Sequence, residues 1–289
     1  YTINRHFSEA NASKNTYLTF LELFAKKQAS LIAKWMGVGF IHGVMNTDNT
    51  SISGETIDYG PCAFMDNYDP STVFSSIDRH GRYAFGNQPQ IAQWNLASLA
   101  GCLLPLIDNN EDKAKDSVRK IIDGFSGIVN SDISEVMCLK IGLNSKNKKS
   151  QESLKNLLAL MKSSEADYTL AFRYLGDYLN NKNESSFKEL FNNKVEIEHW
   201  LVDWLELINA EESSKKSIIK SMQTINPIYI PRNHLVERAI KSGVNDGDYS
   251  VMFNLSLVLE TPYKLQKVDQ DYMNPPQPSE RVLETFCGT

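Results

Sequence analysis

Two hard oxygen donors a short distance apart constrain this sequence more than any other feature. Asn49 closes the run His42-Gly43-Val44-Met45-Asn46-Thr47-Asp48-Asn49, and Asp58 opens Asp58-Tyr59-Gly60-Pro61. Asp and Asn side chains of this kind hold a divalent cation against phosphate oxygens. Between them, Thr50 to Ile57 carries Ser, Ile, Thr and Ile around Ser53-Gly54, which predicts a short hairpin turning at the glycine. Such a hairpin returns the chain so that Asn49 and Asp58 point into one cleft. Either piece alone also reads as an Asx-rich turn capping its own backbone. The joint spacing is what favours a metal site.

The flanking text is helical. From Thr16 to Met36, Leu18, Leu21, Ala25, Ile32 and Trp35 recur at amphipathic-helix spacing and lead straight into His42. After Pro61 the chain is rich in Asp, Pro, Ser and Tyr as far as Asn87, which predicts a long ordered loop of the kind that carries function. Helical periodicity returns from Gln90 and recurs at Leu154 to Met161, Leu170 to Leu179, His199 to Ile208 and Ser217 to Met222. Polar breaks at Asn109 to Asp112, Asn144 to Ser150 and Asn180 to Ser186 separate these segments, and Asn274-Pro275-Pro276-Gln277-Pro278 makes the tail extended.

Composition narrows the partners. With 289 residues, 42% of them hydrophobic, the chain can bury one large core or two ordinary ones. A net charge of -5 gives no broad basic field for nucleic acid, and no uninterrupted apolar run reaches the length of a membrane span. The cysteines Cys62, Cys102, Cys138 and Cys287 lie far apart with no CxxC pair, so neither a zinc site nor a disulfide scaffold is signalled. Cys102 and Cys138 read as core residues of apolar helices.

The loop His42 to Asn49 is similar to the catalytic loop of small-molecule kinase-like enzymes, His-Gly-Asp-Leu-His-Pro-Gly-Asn. Aligned on His42, the metal-binding Asn falls on Asn49, and the catalytic Asp position holds Val44, which accepts no proton. Asp48 supplies a carboxylate beside the metal ligand instead. Asp58-Tyr59-Gly60 stands where kinases have Asp-Phe-Gly. His42 reads as a hydrogen-bonding post within this loop, with contact to phosphate as the other reading.

Extended to Trp35 through Asn49 and Thr56 through Pro61, these stretches closely resemble the selenoprotein O (SelO, or YdiU-like) family of protein adenylyltransferases. Further islands agree: Asp66 to Pro70, Gly81-Arg82-Tyr83, Gln88-Pro89, Trp94-Asn95-Leu96, Asp167-Tyr168-Thr169 with Phe172-Arg173, and Asn226 to Tyr229 with Arg232-Asn233. Arg232 and Asn233 read either as support for the active-site loop or as the close of a helix.

The resemblance implies a mainly α fold: a protein-kinase-like C-lobe with a short β-hairpin carrying the metal-binding motifs, plus a C-terminal helical extension. On that expectation residues 1–108 form the C-lobe core, and 109–289 its helical remainder and tail. It implies transfer of AMP from ATP to Ser, Thr or Tyr hydroxyls of protein substrates, with Mg2+ or Mn2+ held by Asn49 and Asp58 and Asp48 as catalytic acid/base. The nucleotide-clamping Lys, Glu and Arg residues of the family belong to an N-terminal lobe. The expectation is therefore that this chain is the C-terminal part, with that lobe as its partner. A non-catalytic nucleotide- or protein-binding pseudokinase module is the alternative.

Cys287 matches the position where animal relatives carry selenocysteine, implying a redox-sensitive tail, with a free surface thiol as the other reading. Bacterial members pair a Cys after Asp-Tyr-Gly with a C-terminal Cys; the matching position here is Phe74. Cys62 to Asp66 resembles fungal members, which implies a mitochondrial setting.

Overall fold

Asn15 accepts a hydrogen bond from Leu18 N through its side chain and starts helix α2 (Thr16–Val38), which follows a short α1 (Thr2–His6). Gly39, in the left-handed region at φ 74°, ends it. A Cβ at Gly39 would lie 2.9 Å from the Tyr168 ring, so the glycine serves both the turn and the close packing. Of the stripe that periodicity predicts for α2, Leu21, Ala25, Ile32 and Trp35 are buried and Leu18 is half-buried, and Phe24 joins them in the core.

The computed structural model describes residues 1–181, 184–267 and 270–286. Beyond α2 the chain forms β1 (Phe40–Ile41), β2 (Ala63–Phe64), α3 (Gln88–Ile107), α4 (Glu111–Lys140), α5 (Lys148–Ser163) and α6 (Tyr168–Leu179). It continues through α7 (Glu184–Glu189), α8 (Lys194–Ala210), α9 (Lys215–Ile225), α10 (Asn233–Asp246) and α11 (Ser250–Leu259). Among the described residues the sheet is the single antiparallel pair β1-β2, with Phe40 opposite Phe64 and Ile41 opposite Ala63. The mainly helical expectation holds.

The hairpin expected over Thr50 to Ile57 does not form. That segment makes one turn, Gly54 N donating to Ser51 O, and several of its polar groups bond to side chains of α2. Gln28 donates to Ser51 O at 3.0 Å, and Trp35 Nε1 to Thr56 Oγ1 at 2.8 Å. Two helix side chains on one face take the place of a cross-strand ladder. The strands that do pair flank both motifs from outside.

The longest helix, α4, is given no bounds by the sequence reading, which places only Cys138 in an apolar helix. The polar break before it is its cap, because the Asn110 side chain accepts from Lys113 N. Ala114, Val118, Phe125 and Val129 pack with α2 and α3, and Met137 and Cys138 pack with α5, α6, α8 and α9. At 30 residues, α4 spans roughly 45 Å and links the two core clusters. Around the second cluster, Trp200 and Trp204 stack at 5.6 Å and donate to the carbonyls of Ser153 and Ile141. Cys138 is buried as expected, whereas Cys102 is exposed on the outer face of α3.

By length and composition alone, Phe85–Ile107 is apolar enough to cross a membrane. Here it packs against α2 and α4, and its buried Gln88 and Asn95 hold loop backbone.

Lys140, in the last turn of α4, is 1% exposed and makes no ion pair among the described residues. Its ammonium lies 4.3 Å from the Phe172 ring centroid and 5.4 Å from that of Tyr168. Burial pushes it from the ordinary 10.5 down to about 7. Between those two values the unfolded chain binds this proton more tightly than the folded one, so stability rises with pH across the window. Lys140→Met, which keeps the apolar stem, is expected to raise the urea midpoint at pH 7 and to flatten its climb from there to about pH 10. Parallel pH profiles for variant and wild type would contradict this.

Candidate functional site

The site begins at β1, which delivers His42 into the core at 1% exposure. His42 N donates to Gln88 Oε1 at 3.1 Å, and Gln88 Nε2 donates to Phe40 O at 3.0 Å. On the other side, His42 Nε2 lies 2.8 Å from the carbonyl of Ile57, the residue before Asp58. Burial lowers the His42 pKa below its ordinary value, against opposing contributions from the Ile57 carbonyl and the Asp58 carboxylate. A neutral imidazole donating to Ile57 O fits this geometry, and the hydrogen-bonding post expected of His42 is what the structure contains.

Gly43 follows in the left-handed region at φ 84°, and a Cβ there would come within 2.7 Å of Pro61 O. Only glycine lets the two loops cross this closely. Val44 and Met45 are buried. The Asn95 side chain, two turns along α3 from Gln88, donates to Met45 O and to Thr50 Oγ1. Tyr83 OH donates to Asn46 Oδ1, fastening the loop to the long segment that follows Pro61.

Asp48 lies exposed in the 3-10 turn Thr47–Asn49, and next to it the half-buried Asn49 donates through Nδ2 to Val44 O at 3.1 Å. With Nδ2 engaged, Oδ1 is the atom left for a cation. Asp58 is exposed, sits at φ 55°, and forms no ion pair among the described residues. That conformation is uncommon outside glycine but tolerated by Asp, and such residues gather at functional sites. A chain of short links therefore runs from Asn49 through Val44 and His42 to Ile57 and Asp58.

Among the described residues no three His, Cys, Asp or Glu side chains converge as a metal cage. Two oxygen donors that leave most of the coordination sphere to water and phosphate are what Mg2+ usually takes from a protein. The residues present fit such an ion.

Arg232 secures the loop beyond Pro61. At 1% exposure, its Nη1 reaches Asp66 Oδ1 at 2.6 Å and Asp167 Oδ2 at 2.7 Å, while Nε and Nη2 donate to Met273 O. Burial alone would lower its pKa; the carboxylates of Asp167 and Asp66 outweigh that and raise it. Asn233 donates to Phe64 O on β2. Arg232 thus bonds the loop at Asp66 and Asn233 bonds β2, and both stand at the start of α10, so they close no helix.

Cys62 Sγ donates to Tyr59 O, and burial pushes its thiol up to about 11, so it is protonated at neutral pH. Cys287 lies outside the described residues. Thr285 donates through Oγ1 to Pro61 O and pairs with Phe74 to Ser76. A cavity of about 990 Å3, mostly apolar, opens beside Tyr59, Gly60 and Cys62. Gln28, Gln88 and Asn95 were not singled out as site residues, although polar side chains on the buried stripe of an apolar helix are a readable sign of buried backbone to satisfy.

Fold and site together define a helical domain that holds an oxygen-donor loop against an Asp-Tyr-Gly turn. The chain belongs to the SelO family: the family described as "Protein adenylyltransferase SelO" matches residues 1–260. It is 50% identical to the protein nucleotidyltransferase YdiU of Maridesulfovibrio salexigens over 289 residues, covering all of this chain and 58% of that protein. The protein nucleotidyltransferase YdiU of Rhizobium rhizogenes is 47% identical over 290 residues, again 100% of this chain and 58% of the relative. That of Rhodopseudomonas palustris is 46% identical, with 59% of its length covered. The chain thus spans about three fifths of the length of these curated bacterial relatives.

Arg232→Ala would leave two carboxylates facing each other with no cation between them. It is expected to cost about 3–5 kcal/mol in urea unfolding; a loss near zero would show that Arg232 does not organise this region.

Proposed function

We propose that this chain carries the cation and acceptor side of a protein adenylyltransferase, which transfers AMP from ATP to Ser, Thr or Tyr hydroxyls of other proteins. The observation that carries the proposal is the arrangement of Asn49 and Asp58. Each keeps an oxygen without a protein partner among the described residues: Asn49 is tied through Nδ2 to Val44 O, and the buried His42 bonds the carbonyl just before Asp58. Asn49 Oδ1 and the Asp58 carboxylate would hold Mg2+ or Mn2+, which when bound neutralises charge on the nucleotide phosphates.

Val44 is buried where a phosphotransferase carries its catalytic Asp, which speaks against conventional kinase chemistry. Asp48 takes the proton of the acceptor hydroxyl as its oxygen bonds to the α-phosphorus and pyrophosphate leaves. Gln88, Asn95 and Tyr83 keep the loop bearing Asp48 in place during that transfer. The kinase-like C-lobe is part of the proposal, as is an N-terminal lobe closing over the apolar cavity, where Tyr59 and Phe286 are exposed. The fungal mitochondrial setting rests on Cys62 to Asp66 alone, since the relatives matched are bacterial.

The test is to incubate the full-length protein with ATP labelled at the α-phosphate and, separately, at the γ-phosphate. Label is expected in protein only from the α position, and Asp58→Ala is expected to abolish it. Incorporation only from the γ position overturns the proposal. Incorporation from neither, with Mg·ATP still bound, would favour the non-catalytic nucleotide-binding module.

A further inference from the structure

A second cavity, of about 710 Å3, opens at the loop bearing Asp48 and shares no lining residue with the cavity beside Tyr59. Buried Val44 and Ile91 line it, together with exposed Arg79, His80, Arg82 and Trp94. Asn46, two residues before Asp48, also lines it and is fixed there by Tyr83 OH. An occupant of this cavity therefore lies against the turn that presents Asp48.

Its rim carries two guanidinium groups, Arg79 and Arg82, against one carboxylate, Asp78. Backbone holds that carboxylate: its two oxygens accept from Arg82 N at 2.8 Å and Tyr83 N at 2.7 Å. Neither Arg79 nor Arg82 forms an ion pair among the described residues, although the chain as a whole carries -5. The Arg82 guanidinium lies 4.9 Å from the Trp94 ring centroid and 5.7 Å from that of Tyr83. Aromatic neighbours of this kind steady the guanidinium and leave its fork of donors free for a carboxylate or phosphate.

Two features favour a protein segment over nucleotide phosphate. Asp58, Tyr59 and Gly60 do not line this cavity, so it lies apart from the turn that offers the second cation ligand. Its rim also exposes large apolar surface beside the cations, with Ile77 at 67% and Trp94 at 49% exposed, which suits a peptide and not a triphosphate.

We propose that the cavity between Asn46, Arg79, Arg82 and Trp94 binds the acceptor protein and selects a segment with an acidic residue close to the hydroxyl that is modified. The inference deepens the adenylyltransferase reading and rests on it for the role of the segment, though not for its binding.

The experiment measures fluorescence anisotropy with the full-length protein and two labelled peptides. One has a central Ser flanked by Glu and Phe; the other is identical but for Lys in place of Glu. The acidic peptide is expected to bind at least about tenfold more tightly, with a preference that shrinks as salt rises. Reversing both charges at once, Arg79→Glu with Arg82→Glu, is expected to remove that preference and leave Mg·ATP affinity unchanged. Both side chains are exposed, so the fold tolerates the change, and circular dichroism checks it.

Equal binding of the two peptides overturns the proposal. So does a double variant that weakens Mg·ATP but not the acidic peptide, which would assign the cavity to nucleotide phosphate. If the charge-dependent peptide preference holds while no AMP is transferred, the binding surface stands and the adenylyltransferase reading fails.

Discussion

The buried ion cluster of Arg232 with Asp66 and Asp167 is the interaction on which the arrangement of this domain depends. It joins three distant parts of the chain: the loop after the Asp-Tyr-Gly turn, the N-terminus of α6, and the segment leading into α10. Asp167 also caps α6 by accepting from Leu170 N, so the same carboxylate starts a helix and neutralises a cation. Ion pairs this deep contribute little net stability relative to well-packed apolar groups, but they are costly to break. That asymmetry makes the cluster a device for fixing one arrangement: the loop either meets Arg232 or leaves buried charge without a partner.

With that frame fixed, the loop His42 to Asn49 and the Asp-Tyr-Gly turn are held mostly by side chains that reach backbone. Gln28 and Trp35 from α2 secure the stretch between the motifs, and Gln88 and Asn95 from α3 secure the loop itself. Both pairs sit at two-turn spacing, so each helix presents a polar pair along one side. Little regular strand is needed, and the donors at Asn49 and Asp58 remain exposed enough to meet a ligand. The oxygen-donor loop thus rests on helix side chains, and a cavity opens at its Val44 and Asn46.

Much of this was legible in the sequence. The amphipathic period of α2, the loop after Pro61, and the helices α5, α6, α8 and α9 follow from apolar spacing that burial then uses. Islands far apart in the chain, at Asp66, Asp167 and Arg232, prove to be one cluster, a convergence that spacing alone does not reveal. The hairpin failed because alternation of Ser, Ile and Thr reports a half-buried extended segment without naming its partner, and the partner is a helix. Helix α4 escaped because its apolar stripe is diluted by charges and by Gly124 and Gly127, so period rather than average polarity was its signature. The expected burial of Cys102 was wrong for a related reason: a helix with few charges still has an outer face.

The central claim is that Asn49 and Asp58 together bind a divalent cation carrying nucleotide. Electron paramagnetic resonance of Mn2+ titrated into the full-length protein with ATP tests it directly, because free and bound Mn2+ give distinct signals. The account predicts a nucleotide-dependent Mn2+ site that is lost in Asp58→Ala and weakened in Asn49→Ala, with both variants folded. Tight Mn2+ binding that survives both substitutions would contradict it.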